Sequence, residues 1–159
     1  MANPTKTSLR DELLARLRAD LEQLERAHQA TQEGATHEEA KPENDKDTRA
    51  LEQSYLARGQ AMRVLDARRA VADVGVMSVA RLGEGQPVAV GALVITEEDG
   101  ETRAVFVAPH GGGSVLSGGV HVLTPQSPLG RVLLGRRTGE ACELTLGGRE
   151  RSIEIVAVE

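Results

Sequence analysis

The chain has very few aromatic side chains, and this scarcity excludes some modes of nucleic-acid binding. Its 159 residues include one tyrosine, Tyr55, one phenylalanine, Phe106, and no tryptophan. Proteins that bind single strands without sequence preference stack bases on aromatic platforms, which two isolated rings cannot provide. The formal net charge is -5, and no basic stripe for gripping a duplex is present. The sequence therefore argues against autonomous binding of nucleic acid.

Cysteine is equally scarce, and long apolar runs are missing. Because Cys142 is the only cysteine, neither an intramolecular disulfide nor a thiolate zinc site can form. No apolar run is long enough to span a bilayer. The first residues, MANPTKTSLRDELL, lack the apolar core of a signal peptide. We expect a cytoplasmic protein that makes no contact with membranes.

Carboxylates, by contrast, are concentrated in residues 33–47, EGATHEEAKPENDKD. This stretch contains six acidic residues and only two lysines, so it holds most of the net negative charge of the chain. Carboxylate oxygens are ligands that Mg²⁺ prefers, which favours a site for a metal ion or a basic partner. A solvated acidic turn that caps the following helix remains the alternative. The acids are Glu33, Glu38, Glu39, Glu43, Asp45 and Asp47.

Helical periodicity precedes the acidic stretch, in residues 8–31. Ser8 is the expected N-cap, and Gly34 is the expected end of the helix. Leucines recur every three or four positions, as on one face of a helix that packs against a partner. These leucines are Leu13, Leu17, Leu21 and Leu24.

Residues 47–70 repeat the pattern after the acidic stretch. The predicted inward stripe consists of Leu51, Tyr55, Met62 and Leu65, interrupted by Arg58. Two such helices are marginal alone, so antiparallel pairing as a coiled-coil hairpin is expected. We assign residues 1–75 to a helical hairpin with its acidic tip at 33–47.

From Pro87 onwards the pattern changes to strands and turns. Alternating or apolar runs predict five strands and one short helix, with turns at Asp99-Gly100 and Gly147-Gly148. The predicted strands cover 88–96, 102–108, 119–124, 139–146 and 150–158, and the helix covers 128–135. The predicted fold class is α+β, with a small antiparallel β domain over residues 76–159.

Other motifs with potential chemistry have simpler interpretations. The His-Gly-Gly-Gly run at 110–113 would need a G-x-S-x-G elbow to serve an esterase, so it predicts a flexible glycine loop. His37 beside Glu38 and Glu39 lacks a second histidine at ligand spacing. Cys142 fits an ordinary strand residue.

The order of parts and one local motif resemble the Gre transcript-cleavage factors (GreA/GreB). Residues 127–140, SPLGRVLLGRRTGE, are similar to the family's S-P-x-G-x-A-L-L-G-x-x-x-G-D/E motif, with Val132 in place of the usual alanine. Residues 153–156, near the end, and the stretch from Glu43-Asn44 through residues 49–53 also fit. The likeness covers nearly the whole chain and indicates a divergent subgroup.

The resemblance implies an FKBP-like C-terminal domain, with Ser127 and Pro128 in a polymerase-docking segment. Family members bind RNA polymerase and insert the hairpin into its secondary channel, so contact with transcript or DNA occurs only through that complex. In cleavage-active members, a tip Asp and Glu help to hold the second catalytic Mg²⁺ of the polymerase, which activates water. Such a chain is a monomer without an intrinsic cofactor, and the enzyme is the polymerase.

At the tip, the sequence departs from the pattern of the cleavage-active members. Glu43 and Asn44 match the family's Glu and Asn, but Ala40 stands where the family has Asp. Glu39 and Glu38 are the candidate substitutes for that missing acid as metal ligands. Asn44, Asp45 and Asp47 are candidates for supporting the tip.

Three hypotheses follow from this departure. The chain stimulates cleavage of backtracked RNA, or it is a non-cleaving channel-binding regulator of initiation or pausing. The third hypothesis, from another class, is an acidic interaction module unrelated to polymerase.

Overall fold

The computed structural model describes residues 3–39 and 48–159, and for residues 35–39 it describes the backbone alone. The described part forms two long helices followed by a six-stranded sheet, with a short helix between its fourth and fifth strands, which confirms the predicted α+β fold class. The helices are α1 (Lys6–Glu39), α2 (Thr48–Val76) and α3 (Pro128–Leu133), and the strands are β1 (Leu93–Glu98), β2 (Glu101–Val107), β3 (Val115–Leu116), β4 (Val120–Leu123), β5 (Ala141–Leu146) and β6 (Arg149–Val158).

The chain divides into two compact units. One unit is Ala15–Val71, and the other combines the chain up to Leu14 with Ala72–Glu159. The sheet and α3 lie entirely in the second unit. The boundary between residues 75 and 76 that the sequence suggested stays a prediction.

Both ends of α1 differ from the sequence-based expectation. Helix α1 begins at Lys6, and Thr5 rather than Ser8 is the N-cap, since the Ser8 amide donates to Thr5 Oγ1 over 3.1 Å. Gly34 does not end the helix, which continues to Glu39. An exposed helical glycine costs only about 1 kcal/mol, so its neighbours can carry the helix through it. Residues 33–39 of the predicted tip are therefore helical.

The two helices of the hairpin run antiparallel. In the unit that they form, Arg68 of α2 donates to Glu25 of α1 over 2.8 Å. This pair lies about 21 Å before the end of α1 and about 30 Å after the start of α2, at 1.5 Å per residue. In a parallel arrangement, residues 40–47 would have to bridge roughly 50 Å, whereas they reach about 32 Å at most. Only the antiparallel arrangement satisfies this limit.

The shielded face of α1 is the predicted leucine stripe. Leu13 is fully buried, and the three following leucines are half-buried. The stripe continues at spacings of three and four residues, the periodicity of a coiled-coil seam. The shielded positions in the hairpin unit are Leu17, Leu21, Leu24, His28 and Thr31.

The predicted inward stripe of α2 is wrong, because its side chains point to solvent. The exposed fractions are 56% for Leu51, 62% for Tyr55, 57% for Met62 and 56% for Leu65. The shielded face is instead made of small and polar residues at the same heptad spacing. Small side chains allow two helices to approach closely, and the large apolar side chains of α2 lie on the opposite, exposed face. The shielded residues are Gln53, Ala57, Gln60, Val64 and Ala67.

The sheet has the strand order β3-β4-β2-β1-β6-β5. All its pairs are antiparallel except β2 with β4, which run parallel, so the predicted purely antiparallel domain needs this correction. Both predicted hairpin turns are confirmed. Asp99 and Gly100 have φ of 52° and 80°, and such a pair of positive φ values is typical of the type I′ turn that matches strand twist.

The first predicted strand of the domain begins later than expected. Strand β1 starts at Leu93, not at Val88. The Val88 backbone instead donates to Arg136 over 2.8 Å and accepts from Gly135 over 2.9 Å, beyond the end of α3. Through these backbone hydrogen bonds, segment 88–92 links the loop after α3 to the start of the sheet.

The core of the domain lies between one face of the sheet and α3. Alternate residues of the central strands contribute to it, because successive side chains of a strand point to opposite faces. The other face of β2 carries the fully buried Phe106. Leu133 of α3 is fully buried in it. The cluster consists of Val88, Ala92, Val94, Val105, Val107, Leu123, Leu133, Cys142 and Ile155.

Candidate functional site

The residues proposed for the acidic tip lie mostly outside the described part of the chain. Glu43, Asn44, Asp45 and Asp47 fall within residues 40–47, which the structure does not describe. Glu38 and Glu39 occupy the last two positions of α1, with only their backbone described. Their roles at the tip and as ligands stay predictions. Among the residues whose side chains are described, 3–34 and 48–159, no group of three His, Cys, Asp or Glu side chains is arranged to hold a metal ion.

The predicted docking segment begins with a tightly capped helix start. Ser127 is the N-cap of α3: its Oγ accepts from the Gly130 amide over 3.1 Å and donates to the Thr124 carbonyl over 2.7 Å. Pro128 follows at the first helical position, where its missing N–H costs nothing. Ser127 is half-buried, whereas the Pro128 ring is exposed. Ser127 thus fixes the backbone, and the Pro128 ring lies at the surface.

Gly130 completes this local structure for a steric reason. A Cβ atom at this position would lie 2.0 Å from the Thr124 carbonyl oxygen and 2.9 Å from Ser127 Oγ. Only glycine lets α3 pack this closely on the preceding loop. The Ser-Pro-x-Gly pattern therefore encodes the shape of the segment, and any binding role comes on top of that.

A pocket of about 260 Å³ opens beside this segment in the C-terminal domain. Leu129 of α3 forms one wall, and Val105 and Ile153 of the sheet contribute to the apolar floor. The remaining lining adds apolar strand residues and a charged rim. The full lining is Thr96, Glu98, Glu101, Arg103, Val105, Gly113, His121, Val122, Leu123, Leu129, Arg151 and Ile153. A partly apolar pocket with a few convergent polar groups is the usual form of a binding site.

The charged rim is held by an ion pair between strands β1 and β6. Arg151 donates through Nε and Nη2 to the two carboxylate oxygens of Glu98. This bidentate hydrogen bonding is the main reason that the pKa of Glu98 lies below its usual value and the pKa of Arg151 above it. Both groups are therefore charged across the neutral range. They give the pocket one fixed dipolar edge.

Sequence reasoning missed this pocket, although it identified the neighbouring Ser127 and Pro128. Leu129 belongs to the motif, but its role in the pocket depends on the strand residues that lie opposite it in the fold. Glu98 and Arg151 are 53 positions apart and meet through the pairing of β1 with β6. No local sequence pattern predicts a contact between residues this far apart in the chain. The usable signal would have been opposite charges on strands whose pairing was already known.

The glycine-rich loop at 109–113 has a structural explanation. A Cβ atom at Gly111, whose φ is 86°, would lie 2.6 Å from Cδ1 of the buried Leu13. The neighbouring His110 lies within hydrogen-bond distance of Asp73, with 2.7 Å between Nε2 and a carboxylate oxygen. These contacts hold the loop against helical residues of the same unit. The segment lies between β2 and β3, as the prediction of a loop between strands requires, and its flexibility stays a prediction.

Cys142 is a buried residue of strand β5. Its Sγ donates to the Val132 carbonyl over 3.3 Å, and burial raises the pKa of the thiol. A thiol that resists ionisation is a poor nucleophile. The interpretation as an ordinary strand residue is confirmed.

One protein family matches the part of the chain that contains these features. Residues 85–159, a little under half of the chain, match the family described as "Transcription elongation factor, GreA/GreB, C-term". The match contains the capped α3, the pocket and both of its ion-paired residues. The C-terminal part of the chain, residues 85–159, is therefore Gre-like.

Solved structures and curated proteins add context to this Gre-like chain. It is similar to GreA factor homolog 1 (Gfh1) of Thermus thermophilus, at 20% identity over 92% of this chain and 94% of that chain, with a TM-score of 0.40. For Gfh1 of Thermus aquaticus the values are 22%, 91%, 92% and 0.42. For a GreA/GreB factor of Nitrosomonas europaea they are 18%, 70%, 94% and 0.38. At identities and TM-scores this low, these similarities carry no functional argument. No curated protein matches the chain.

Gre-family factors bind RNA polymerase and act as its accessory factors, without independent catalysis. In the described residues, no helix is long and apolar enough to cross a membrane.

Proposed function

We propose that this Gre-like chain regulates transcription elongation by binding RNA polymerase and inserting its helical hairpin into the secondary channel. The observation that carries this proposal is the match of residues 85–159 to the GreA/GreB C-terminal domain. The length of the helices supports it as well. Helix α2 has 29 residues and is therefore about 43 Å long, an elongated form that is compatible with insertion into a channel.

Docking of the C-terminal domain is assigned to the segment from Ser127 to Leu129. Pro128 is exposed beside the pocket, and Leu129 forms part of the pocket wall. An apolar floor with a charged rim suits a helix or loop of the polymerase that inserts an apolar side chain and pairs its polar flanks with Glu98 and Arg151. Ser127 is a positioning residue here, because its hydroxyl group is used inside the chain.

At the tip, Glu43 is the proposed contact to the polymerase's second catalytic Mg²⁺. The donor chemistry suits this ion, since Mg²⁺ is commonly bound through one or two carboxylates together with groups from elsewhere. When bound, that ion supplies an activated water for RNA hydrolysis. Glu43 would orient the ion, and Glu39 or Glu38 would provide the second carboxylate that Ala40 lacks.

A non-cleaving regulator of initiation or pausing is the second candidate, and one observation favours it. Ala40 stands at the family's Asp position. Such a chain would occupy the channel without supplying both carboxylates.

The deciding experiment uses purified RNA polymerase in backtracked complexes. The wild-type chain and Ala40→Asp are added with Mg²⁺, and binding and short 3′ RNA fragments are measured. Fragments with the wild-type chain support cleavage stimulation. Binding without fragments, together with fragments from Ala40→Asp, supports the non-cleaving regulator. Absence of binding contradicts the proposal and leaves the acidic interaction module.

A further inference from the structure

The side chains that are shielded between α1 and α2 change in character along the hairpin. We define its distal half as residues 28–39 and 48–60, next to the connection between the helices, and its proximal half as residues 15–27 and 61–71. In the proximal half, three leucines of α1 are half-buried and Val64 of α2 is buried. These leucines are Leu17, Leu21 and Leu24.

The distal half shields no large apolar residue among its described side chains. Two of its shielded polar atoms, His28 Nδ1 and Gln60 Oε1, are buried without a hydrogen-bond partner. Both atoms disfavour the closed helix pair, because they lose hydrogen bonds to water that the pairing does not replace. Little apolar burial therefore holds the distal helices together. The shielded distal positions are His28, Thr31, Gln53, Ala57 and Gln60.

Each helix also has a glycine in its distal half, Gly34 in α1 and Gly59 in α2. A Cβ atom at either position would meet no atom of the described residues within 4 Å. Close packing therefore does not require these glycines. A glycine inside a helix lowers the stability of that helix, since its backbone loses more freedom on folding than that of any other residue. Both glycines thus weaken the distal helices without a steric reason.

The distal parts of the two helices are also short. Each contains roughly a dozen residues, and isolated helices shorter than about 12–15 residues are marginal in water. Helices in proteins gain most of their stability from the packing of an apolar face, which the distal half lacks. Where few apolar contacts are buried, a segment opens locally while the rest of the fold stays intact.

We propose that the distal half of the hairpin opens and closes as a unit of its own while the proximal half stays paired. The polar seam, the two glycines and the short helices all act in this direction. A partner that binds the closed hairpin then has to close this half as well, and its apparent affinity falls with the fraction of the free chain that is closed. Closure of the distal half is therefore a step at which binding can be tuned.

Amide hydrogen exchange of the free, full-length chain tests this proposal, with protection factors measured residue by residue by NMR. We expect protection factors in residues 29–34 and 53–60 to be about tenfold lower than in residues 16–25 and 63–70. Fraying of a helix end reaches about one turn, so it cannot explain low protection this far from the ends. Equal protection along the hairpin, or low protection in the last turn only, would overturn the proposal.

Two glycines of α2 provide a matched pair of variants. At Gly59 and at Gly75 alike, a Cβ atom would meet no atom of the described residues within 4 Å, but Gly75 lies outside the hairpin unit. We expect Gly59→Ala to raise the protection factors of the distal half by about fivefold and to leave the proximal half unchanged. Gly75→Ala should change neither half. An equal rise in both halves with Gly59→Ala would mean that the hairpin opens as one unit, against the proposal.

The link to a partner is tested by hydrogen exchange of the wild-type chain with and without core RNA polymerase. This arm rests on the proposed function. We expect polymerase to raise protection in the distal half by at least about tenfold, and more than in the proximal half. Binding that leaves distal protection unchanged would show that the partner does not close this half. If the chain does not bind polymerase, the proposed function fails, and exchange in the free chain still decides whether the distal half opens separately.

Discussion

Arg151 of strand β6 donates hydrogen bonds to both carboxylate oxygens of Glu98 on strand β1. The pair closes the polar edge of the pocket beside Leu129. The hydrogen bonds from Arg151 are the first cause of the lowered pKa of Glu98, with the nearby guanidinium charges acting in the same direction. A carboxylate whose pKa is lower in the folded state stabilises the fold above its unfolded pKa. That stabilisation is lost as pH falls through the folded pKa.

Replacing Glu98 should therefore lower stability in a pH-dependent way. We expect Glu98→Gln to reduce Tm at neutral pH, and the difference from the wild type to shrink as pH falls below 4.5, the ordinary pKa of the group. Thermal denaturation followed by circular dichroism across this range measures it. Glu97→Gln, one position away on the same strand, is the control. A difference that stays constant in acid would contradict the stabilising role of the pair.

Gly130→Ala should destabilise the C-terminal domain strongly. The added methyl group would overlap the Thr124 carbonyl, because the closest approach is only 2.0 Å. The backbone would have to shift, so we expect a loss of about 2–3 kcal/mol in the free energy of unfolding. Chemical denaturation gives this value. Gly83→Ala, whose Cβ would have no neighbour closer than 3.9 Å, should stay within about 1 kcal/mol of the wild type.

Gly111 and Leu13 should show energetic coupling. Gly111→Ala meets both an unfavourable φ and a clash with Leu13, whereas Gly113→Ala meets only the unfavourable φ of 88°. We expect Gly111→Ala to cost about 1–2 kcal/mol more than Gly113→Ala. In a Leu13→Ala background this excess should vanish, because the clashing group is gone. Additive effects in this double-mutant cycle would mean that the contact is not formed.

Gln60→Leu should stabilise the hairpin. Among the described residues, Gln60 Oε1 and His28 Nδ1 are buried side-chain atoms without a hydrogen-bond partner, and both residues occupy seam positions. Burying an unsatisfied polar atom costs about 1–3 kcal/mol, so an apolar replacement should recover roughly 1 kcal/mol. Tm measures the gain, and Gln23→Leu on the exposed face of α1 is the control. A lower Tm for Gln60→Leu would show that the amide has a partner in solution.

Glu43→Ala should remove a functional group without loss of fold. If Glu43 contacts the shared metal ion, the variant should lose most of the effect of the chain on backtracked polymerase while its Tm and its binding to polymerase stay unchanged. Lys46→Ala, within the same acidic stretch, is the control. Unchanged activity of Glu43→Ala in the purified assay would remove this residue from the mechanism.

The face of α2 illustrates where sequence reasoning failed. Its large apolar residues have perfect helical spacing, so hydrophobic periodicity selects them as the inward face. The parallel run of glutamines, alanines and one valine has the same period but lower hydrophobicity. Which run faces α1 depends on how closely the two helices can approach, and that is a property of the pair. Spacing alone could not distinguish the two faces.

Local signals, by contrast, were sufficient where the chain interacts with its near neighbours. The positive φ values at Asp99-Gly100 and the start of α3 at Pro128 follow from residues within four positions. The predicted ends of α1 were wrong because Ser8 and Gly34 were each taken as a helix boundary without regard to the neighbouring residues that extend the helix. Because the helix begins earlier than predicted, Ser8 lies inside it and Thr5 is the N-cap.

The sequence by itself determined the two helices, the hairpin turns, the capped motif from Ser127 to Gly130 and the family to which they point. Each depends on short-range sterics and hydrogen bonds, which the order of residues specifies directly. Tertiary structure decided the rest: the Glu98–Arg151 edge of the pocket, the Gly111 contact with Leu13, and the outer position of Leu51 through Leu65. These depend on groups far apart in the chain, and only the packing of the folded chain brings them together or leaves them exposed.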